Sequence, residues 1–175
     1  MQTAGGNPVR VLGDSVVNNA AVGEVGEYIR ITRLTGAAVA LVTATPSAVA
    51  VITGLTAGDW DVSGVIDWVF AATTSYTQLQ AGITIGGPTG GFGGGLPAQA
   101  GLTSTNGTVL EPDSVISIAT PAEVPTAIPF STPVGPVRIT VPSGAAPVNV
   151  GLIAQAVFTV AALSAAGTIR ARRVQ

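Results

Sequence analysis

Between residues 59 and 70 every second position is apolar or glycine: Trp60, Val62, Gly64, Ile66, Trp68 and Phe70. The positions between them are Asp59, Asp61, Ser63, Val65, Asp67 and Val69. Alternation with a period of two over this length fits a β-strand with one buried face. On a helix the same spacing would scatter the aromatic residues around the axis. Gly64, in the middle of the run, predicts a bulge or the close approach of a neighbouring backbone.

Shorter strand patterns surround this one. The sequence predicts strands at 27–34, 39–43, 48–55 and 75–85, parted by turn signals such as Thr45-Pro46-Ser47 and Thr56-Ala57-Gly58. The strand at 75–85 is expected to run antiparallel to the aromatic strand across a turn at 71–74. Leu79, Ala81, Ile83 and Ile85 would share one of its faces, and Tyr76, Gln78 and Gln80 the other. Residues 86–95 hold seven glycines and no strand pattern, which predicts a surface loop running on to about residue 106. Further strands are expected at 114–119, 126–131, 137–141, 148–160 and 167–174. Eight prolines, from Pro112 to Pro147, confine the segments among them to edges or turns. Nine or ten strands at this spacing, with no helical pattern, predict an all-β sandwich or barrel. The expected form is a jelly-roll-like antiparallel β-sandwich. Residues 1–23 break every periodicity and read as an extended arm, so the expected division is an arm at 1–23 and a β-sandwich domain at 24–175.

The side chains that are missing narrow the chemistry. The chain has no Cys, no His and no Lys, and its seven basic residues are all Arg. That removes thiolate nucleophiles, the commonest general base and the Schiff-base amine. It also removes the usual structural zinc sites. The chain is therefore expected not to be an enzyme and to need no cofactor or metal. Only 9% of its residues are charged, against about 25% in an average soluble domain. A surface so poor in charge suits a protein covered by copies of itself or by a partner. A net charge of −2 gives no general signal for nucleic acid. No apolar stretch reaches the ~18 residues of a membrane span, and the first residues lack the pattern of a signal peptide.

Three groups of residues stand out as candidate sites. Asp59, Asp61 and Asp67 share the polar face of the aromatic strand; a carboxylate pair or a cation site is the sharp reading, and a solvated face is the favoured one. Arg170, Arg172 and Arg173 form the one basic cluster, suited to an anionic polymer or, as favoured, to carboxylates across an interface. Phe92 is an apolar residue in the glycine-rich stretch that could anchor a contact.

The segment Leu55-Thr56-Ala57-Gly58-Asp59-Trp60-Asp61-Val62-Ser63-Gly64 and the ending Gly167-Thr168-Ile169-Arg170-Ala171-Arg172-Arg173-Val174 resemble the C-terminal β domains of tailed-bacteriophage surface proteins, the tail fibres and head fibres or spikes. Gly26-Glu27-Tyr28-Ile29 and Leu79-Gln80-Ala81-Gly82-Ile83 carry the resemblance further, in the same order, over about residues 24–175. It implies a small jelly-roll-like domain, usually a homotrimer, displayed on a virion surface after synthesis in the bacterial cytoplasm. With an arm of only about 23 residues, the expected role is a capsid decoration or cement protein or head spike. Val9, Arg10, Val11 and Leu12 would then anchor it on the major capsid protein, and Arg170, Arg172, Arg173 and Phe92 would contact partner chains. The alternative is a receptor-binding fibre or spike domain that recognises host surface polysaccharide.

Overall fold

The computed structural model describes residues 23–85, 109–110, 116–123, 130–159 and 161–174. Val9, Arg10, Val11, Leu12 and Phe92 lie outside the described residues, as do the glycine-rich stretch and residues 1–22 of the arm.

The described residues form ten strands: β1 (Tyr28–Arg33), β2 (Val39–Ala40), β3 (Ser47–Leu55), β4 (Gly58–Phe70), β5 (Ser75–Ile85), β6 (Val109–Leu110), β7 (Ile116–Glu123), β8 (Phe130–Val141), β9 (Val148–Thr159) and β10 (Leu163–Arg173). A single 3-10 turn, Thr35–Ala37, is the one helical element among the described residues, and none is long and apolar enough to cross a membrane. Every pairing is antiparallel.

The strands form two sheets. In the first, β1 and β2 both lie along β10, followed by β4 and then β8. In the second, β3 lies beside β9, then β5, with β6 and β7 both along the far side of β5. Taking β1 with β2, and β6 with β7, as interrupted single strands leaves eight tracks. Numbered along the chain, they run 1-8-3-6 in one sheet and 2-7-4-5 in the other. That order, two four-track sheets wound together, is the jelly roll. The expected fold class therefore holds, down to its topology.

The aromatic strand is the spine of the first sheet. Trp60, Val62, Ile66 and Trp68 are wholly buried between the sheets. Ile139, Ile169 and Ala171 join them from β8 and β10, and Ile52, Leu79, Ile83 and Leu152 face them from the second sheet. A Cβ on Gly64 would stand 2.8 Å from Leu152 Cδ1 and 3.0 Å from the Thr168 carbonyl oxygen. The glycine thus lets the opposite sheet approach. Both readings of Gly64 hold, because the β4–β8 register also shifts between Val62 and Gly64.

Trp68 donates from its indole Nε1 to Thr132 Oγ1 at 2.9 Å, inside the core. Thr132→Val keeps the shape and removes the acceptor, leaving a buried N–H without a partner. We expect a loss of about 1–3 kcal/mol in urea unfolding followed by tryptophan fluorescence.

Three expectations need correction. Strands β4 and β5 do not pair as a hairpin: β4 takes β10 and β8 as neighbours and β5 takes β9, β6 and β7. The link between them crosses from one sheet to the other. It is held by Ala71 N and Thr74 Oγ1, which both donate to the Ala162 carbonyl. Tyr76 does not share a polar face with Gln78 and Gln80. It is buried against the core, because the register shifts between Tyr76 and Gln78 and turns Tyr76 and Leu79 to the same side. The segments 126–131 and 137–141 are not separate strands. Residues from Phe130 onwards run as one strand, β8, through Pro133 and Pro136. The prolines are tolerated because β8 pairs with β4 alone and is a sheet edge. The two-residue strand β6, paired with Thr84 and Ile85, was not visible in the sequence.

Candidate interaction face

The charged residues are segregated between the sheets. Strands β3, β5 and β9 carry none, whereas β1, β4, β8 and β10 carry nine. Seven of those nine point outward from the first sheet. Tyr28, Arg30 and Thr32 of β1 stand beside Arg172, Arg170 and Thr168 of β10. These in turn stand beside Asp61, Ser63 and Val65 of β4, and Arg138 of β8 stands beside Asp61. Asp59 and Asp67 complete the face along β4. Neighbouring strands lie about 4.8 Å apart, and same-face residues along a strand about 6.8 Å apart.

Within this face the acids and bases are unevenly matched. Arg138 donates from Nε to Asp61 Oδ1 at 2.8 Å and reaches Asp59 Oδ2 with a second nitrogen at 3.8 Å. One guanidinium therefore ties the two carboxylates that the sequence set side by side. The pairs are solvent-exposed and are each worth about 0.2–1 kcal/mol. Asp67 accepts a short hydrogen bond from Ser131 Oγ. Among the described residues no group of three or more acidic side chains is arranged to hold a metal ion. Asp59 and Asp61 are thus ion-paired to Arg138, and Asp67 is hydrogen-bonded to Ser131.

The arginines expected to act together are parted by strand alternation. Arg170 and Arg172 point outward and are exposed. Arg173 points inward, is 3% exposed and is engaged wholly within its own chain. Its Nε donates to Glu27 Oε2 at 3.2 Å, and its other nitrogens donate to the Ala57 carbonyl and to Thr56 Oγ1. The guanidinium also lies 4.4 Å from the centre of the Trp60 ring. Glu27 Oε2 accepts from Gly23 N as well, at 2.8 Å. This latch closes one end of the sandwich and fastens the entry of the chain to its last strand.

Arg30 and Arg138 join the face although sequence reading did not single them out. Alternation along Tyr28-Ile29-Arg30-Ile31 would have put Arg30 on the side of Tyr28. That β1 lies against β10, in the register Arg30 with Arg170, depends on a contact 140 residues apart in sequence, which no local pattern encodes.

The outside of the second sheet is different in kind. Gly82, Thr84, Gly151 and Ile153 are buried there, and Gln78, Gln80 and Gln155 are half-buried. The molecule therefore has one ionic, solvated sheet and one whose strands β3, β5 and β9 carry no charge, Glu123 at the end of β7 being the charged residue of the second sheet's described strands.

No protein-family model matches this chain, and no curated protein matches it. Among solved structures, a chain from the structure of infectious bursal disease virus Gx strain is similar, with a TM-score of 0.35 and 14% identity. The match covers 84% of this chain and 30% of the viral one, so the chain spans less than a third of the length of that relative.

Proposed function

We propose that the chain is a non-catalytic structural protein of a bacteriophage particle, a homotrimer that decorates or cements the capsid surface and contacts the major capsid protein through its N-terminal arm. The observation that carries this reading is the separation of charge. Burying a charge is costly unless it is paired, so a surface destined for contact with other chains is expected to be built without charges. Here three of the four main tracks of one sheet have none, and the part of their outer face that stays accessible, at the half-buried Gln80 and Gln155, is uncharged. The low overall charge and the resemblance of the 55–64 and 167–174 segments to phage surface domains point the same way. Jelly rolls serve many purposes, so the fold is compatible with this reading but does not select it. Matching symmetry favours a trimer at a threefold position, since each contact is then made three times.

Sedimentation equilibrium on the purified chain tests the assembly: the expected species is a trimer of 17.2 kDa chains, and a monomer at micromolar concentration would refute it. Deleting residues 2–20 tests the arm. The shortened chain should remain a folded trimer and lose its place on purified capsids in a co-sedimentation assay. Undiminished occupancy would remove the arm from the reading.

A further inference from the structure

We infer that Arg30, Arg170 and Arg172, on the outer face of the first sheet, form a binding site for a carboxylate-bearing polysaccharide. Three features of the face lead there. Arg30 and Arg170 are direct cross-strand partners, and Arg172 lies two residues along from Arg170. Like charges placed opposite each other across two strands repel and destabilise the pair. The cheap remedy is a neighbouring carboxylate. Among the described residues Asp61 stands opposite Arg172, but no carboxylate stands opposite Arg30 or Arg170. Asp59 and Asp61 are both held by Arg138, and Glu27 by Arg173. Among the described residues, neither Arg30, Arg170 nor Arg172 makes an ion pair. The fold thus keeps a repulsive cationic pair exposed, and an anion seated on it would relieve the repulsion.

The surroundings indicate what carries the anion. Arg170 is steadied by donating from Nε to Ser63 Oγ at 2.8 Å, a bond that leaves the two terminal nitrogens for a carboxylate, which they match as a fork. Hydroxyls rim the triplet: Ser63 on one side, and Thr32 with Thr168, whose Oγ1 atoms are 3.1 Å apart, on the next row. Tyr28, 40% exposed, is the cross-strand partner of Arg172. Guanidinium groups, hydroxyls and an aromatic ring together suit a polyhydroxylated, carboxylated sugar. The size of the patch argues against nucleic acid. It measures about 5 Å across strands by about 7 Å along them, room for one acidic sugar. Duplex DNA places a charge every ~3.4 Å along each strand, and its next phosphates would fall on Asp61 and Asp59. This site does not depend on the capsid role proposed above; a monomer could carry it equally well.

The test is binding of the full chain to polygalacturonate, with neutral dextran, single-stranded DNA and polyglutamate compared, followed by calorimetry. Polygalacturonate should bind in a salt-sensitive way and dextran should not. Arg30→Gln and Arg170→Gln should each weaken binding about tenfold, as expected for losing one charge-assisted contact. Asp67→Asn, about 13 Å along β4 from Ser63, should leave affinity within about twofold. Without glycan, Arg30→Gln should raise the melting temperature by about 1–2 °C as the repulsion is relieved. No binding to polygalacturonate, or undiminished binding by both arginine variants, would overturn the site. Tighter binding of DNA or polyglutamate through the same arginines would overturn the saccharide assignment. A change of oligomeric mass in the arginine variants would show instead that this face joins copies of the chain.

Discussion

Replacing Gly167 with alanine should cost this protein about 3–5 kcal/mol, enough to lower its melting temperature by roughly 10 °C or more. Gly167 lies in the middle of β10, which is itself in the middle of the first sheet, between β1 and β4. A Cβ there would overlap the carbonyl oxygen of Val65, with the Val65 carbonyl carbon and Ile66 Cα also within 3.3 Å. All three are backbone atoms of β4. They can give way only by pulling β4 off β10 along a ladder that runs from Leu163–Phe70 to Arg173–Trp60. Gly64→Ala makes the instructive comparison. Its nearest obstacle is Leu152 Cδ1 at 2.8 Å, the end of a side chain that can rotate, so its cost should be the smaller of the two, about 1–3 kcal/mol. Urea unfolding monitored by the fluorescence of Trp60 and Trp68 measures both. A loss below about 1 kcal/mol for Gly167→Ala would mean that the β4–β10 ladder can open without penalty, contrary to the packing described above.

The second large effect is expected at the latch. Glu27→Ala removes the carboxylate facing Arg173, whose side chain is 3% exposed, and leaves an uncompensated guanidinium inside the protein. Breaking one side of a buried ion pair typically costs about 3–5 kcal/mol. The lower end of that range is expected here, because Arg173 keeps Thr56, Ala57 and the face of Trp60 as partners. Arg173→Met with Glu27→Leu removes both charges and should recover most of the loss, since apolar residues of similar volume commonly replace a buried pair at little net cost. Denaturant midpoints of the unaltered protein and the two variants settle the matter. If the double variant is as unstable as Glu27→Ala, the latch works through its hydrogen bonds to Gly23, Thr56 and Ala57 more than through its charges.

These two sites differ in how far the sequence announces them. The strand from Asp59 to Phe70 could be read directly, because a sheet face writes itself into alternating residues, and the polar face of that strand came with it. The turns after residues 44 and 55 were equally plain. Gly167, by contrast, looks like any glycine in a small-residue run, and its role appears only when Val65, a hundred residues away, is laid beside it. The basic ending of the chain was visible as a cluster, but its division was not. Strand alternation sends Arg172 out and Arg173 in, and only the pairing of β10 with β1 supplies Tyr28 to the one and Glu27 to the other. The pairing of β5 was misplaced for the same reason. A hairpin is the nearest partner in sequence, and a jelly roll systematically prefers partners that are far apart. Long-range register is carried by the summed packing of two sheets, which no short window contains.

The winding also determines how a pull on the arm would reach the fold. Gly23, ahead of β1, and Arg173, the end of β10, lie at the same end of the sandwich, with β1 and β10 antiparallel and adjacent. Tension applied through residues before Gly23 therefore meets β1 in the peeling direction, loading its bonds to β10 one rung after another instead of all at once. The first rung on that path is the backbone exchange between Arg173 and residues Gly26 and Glu27, beside the buried Glu27–Arg173 pair. A buried ion pair thus stands where a tether would pull first, as a knot stands at the start of a seam.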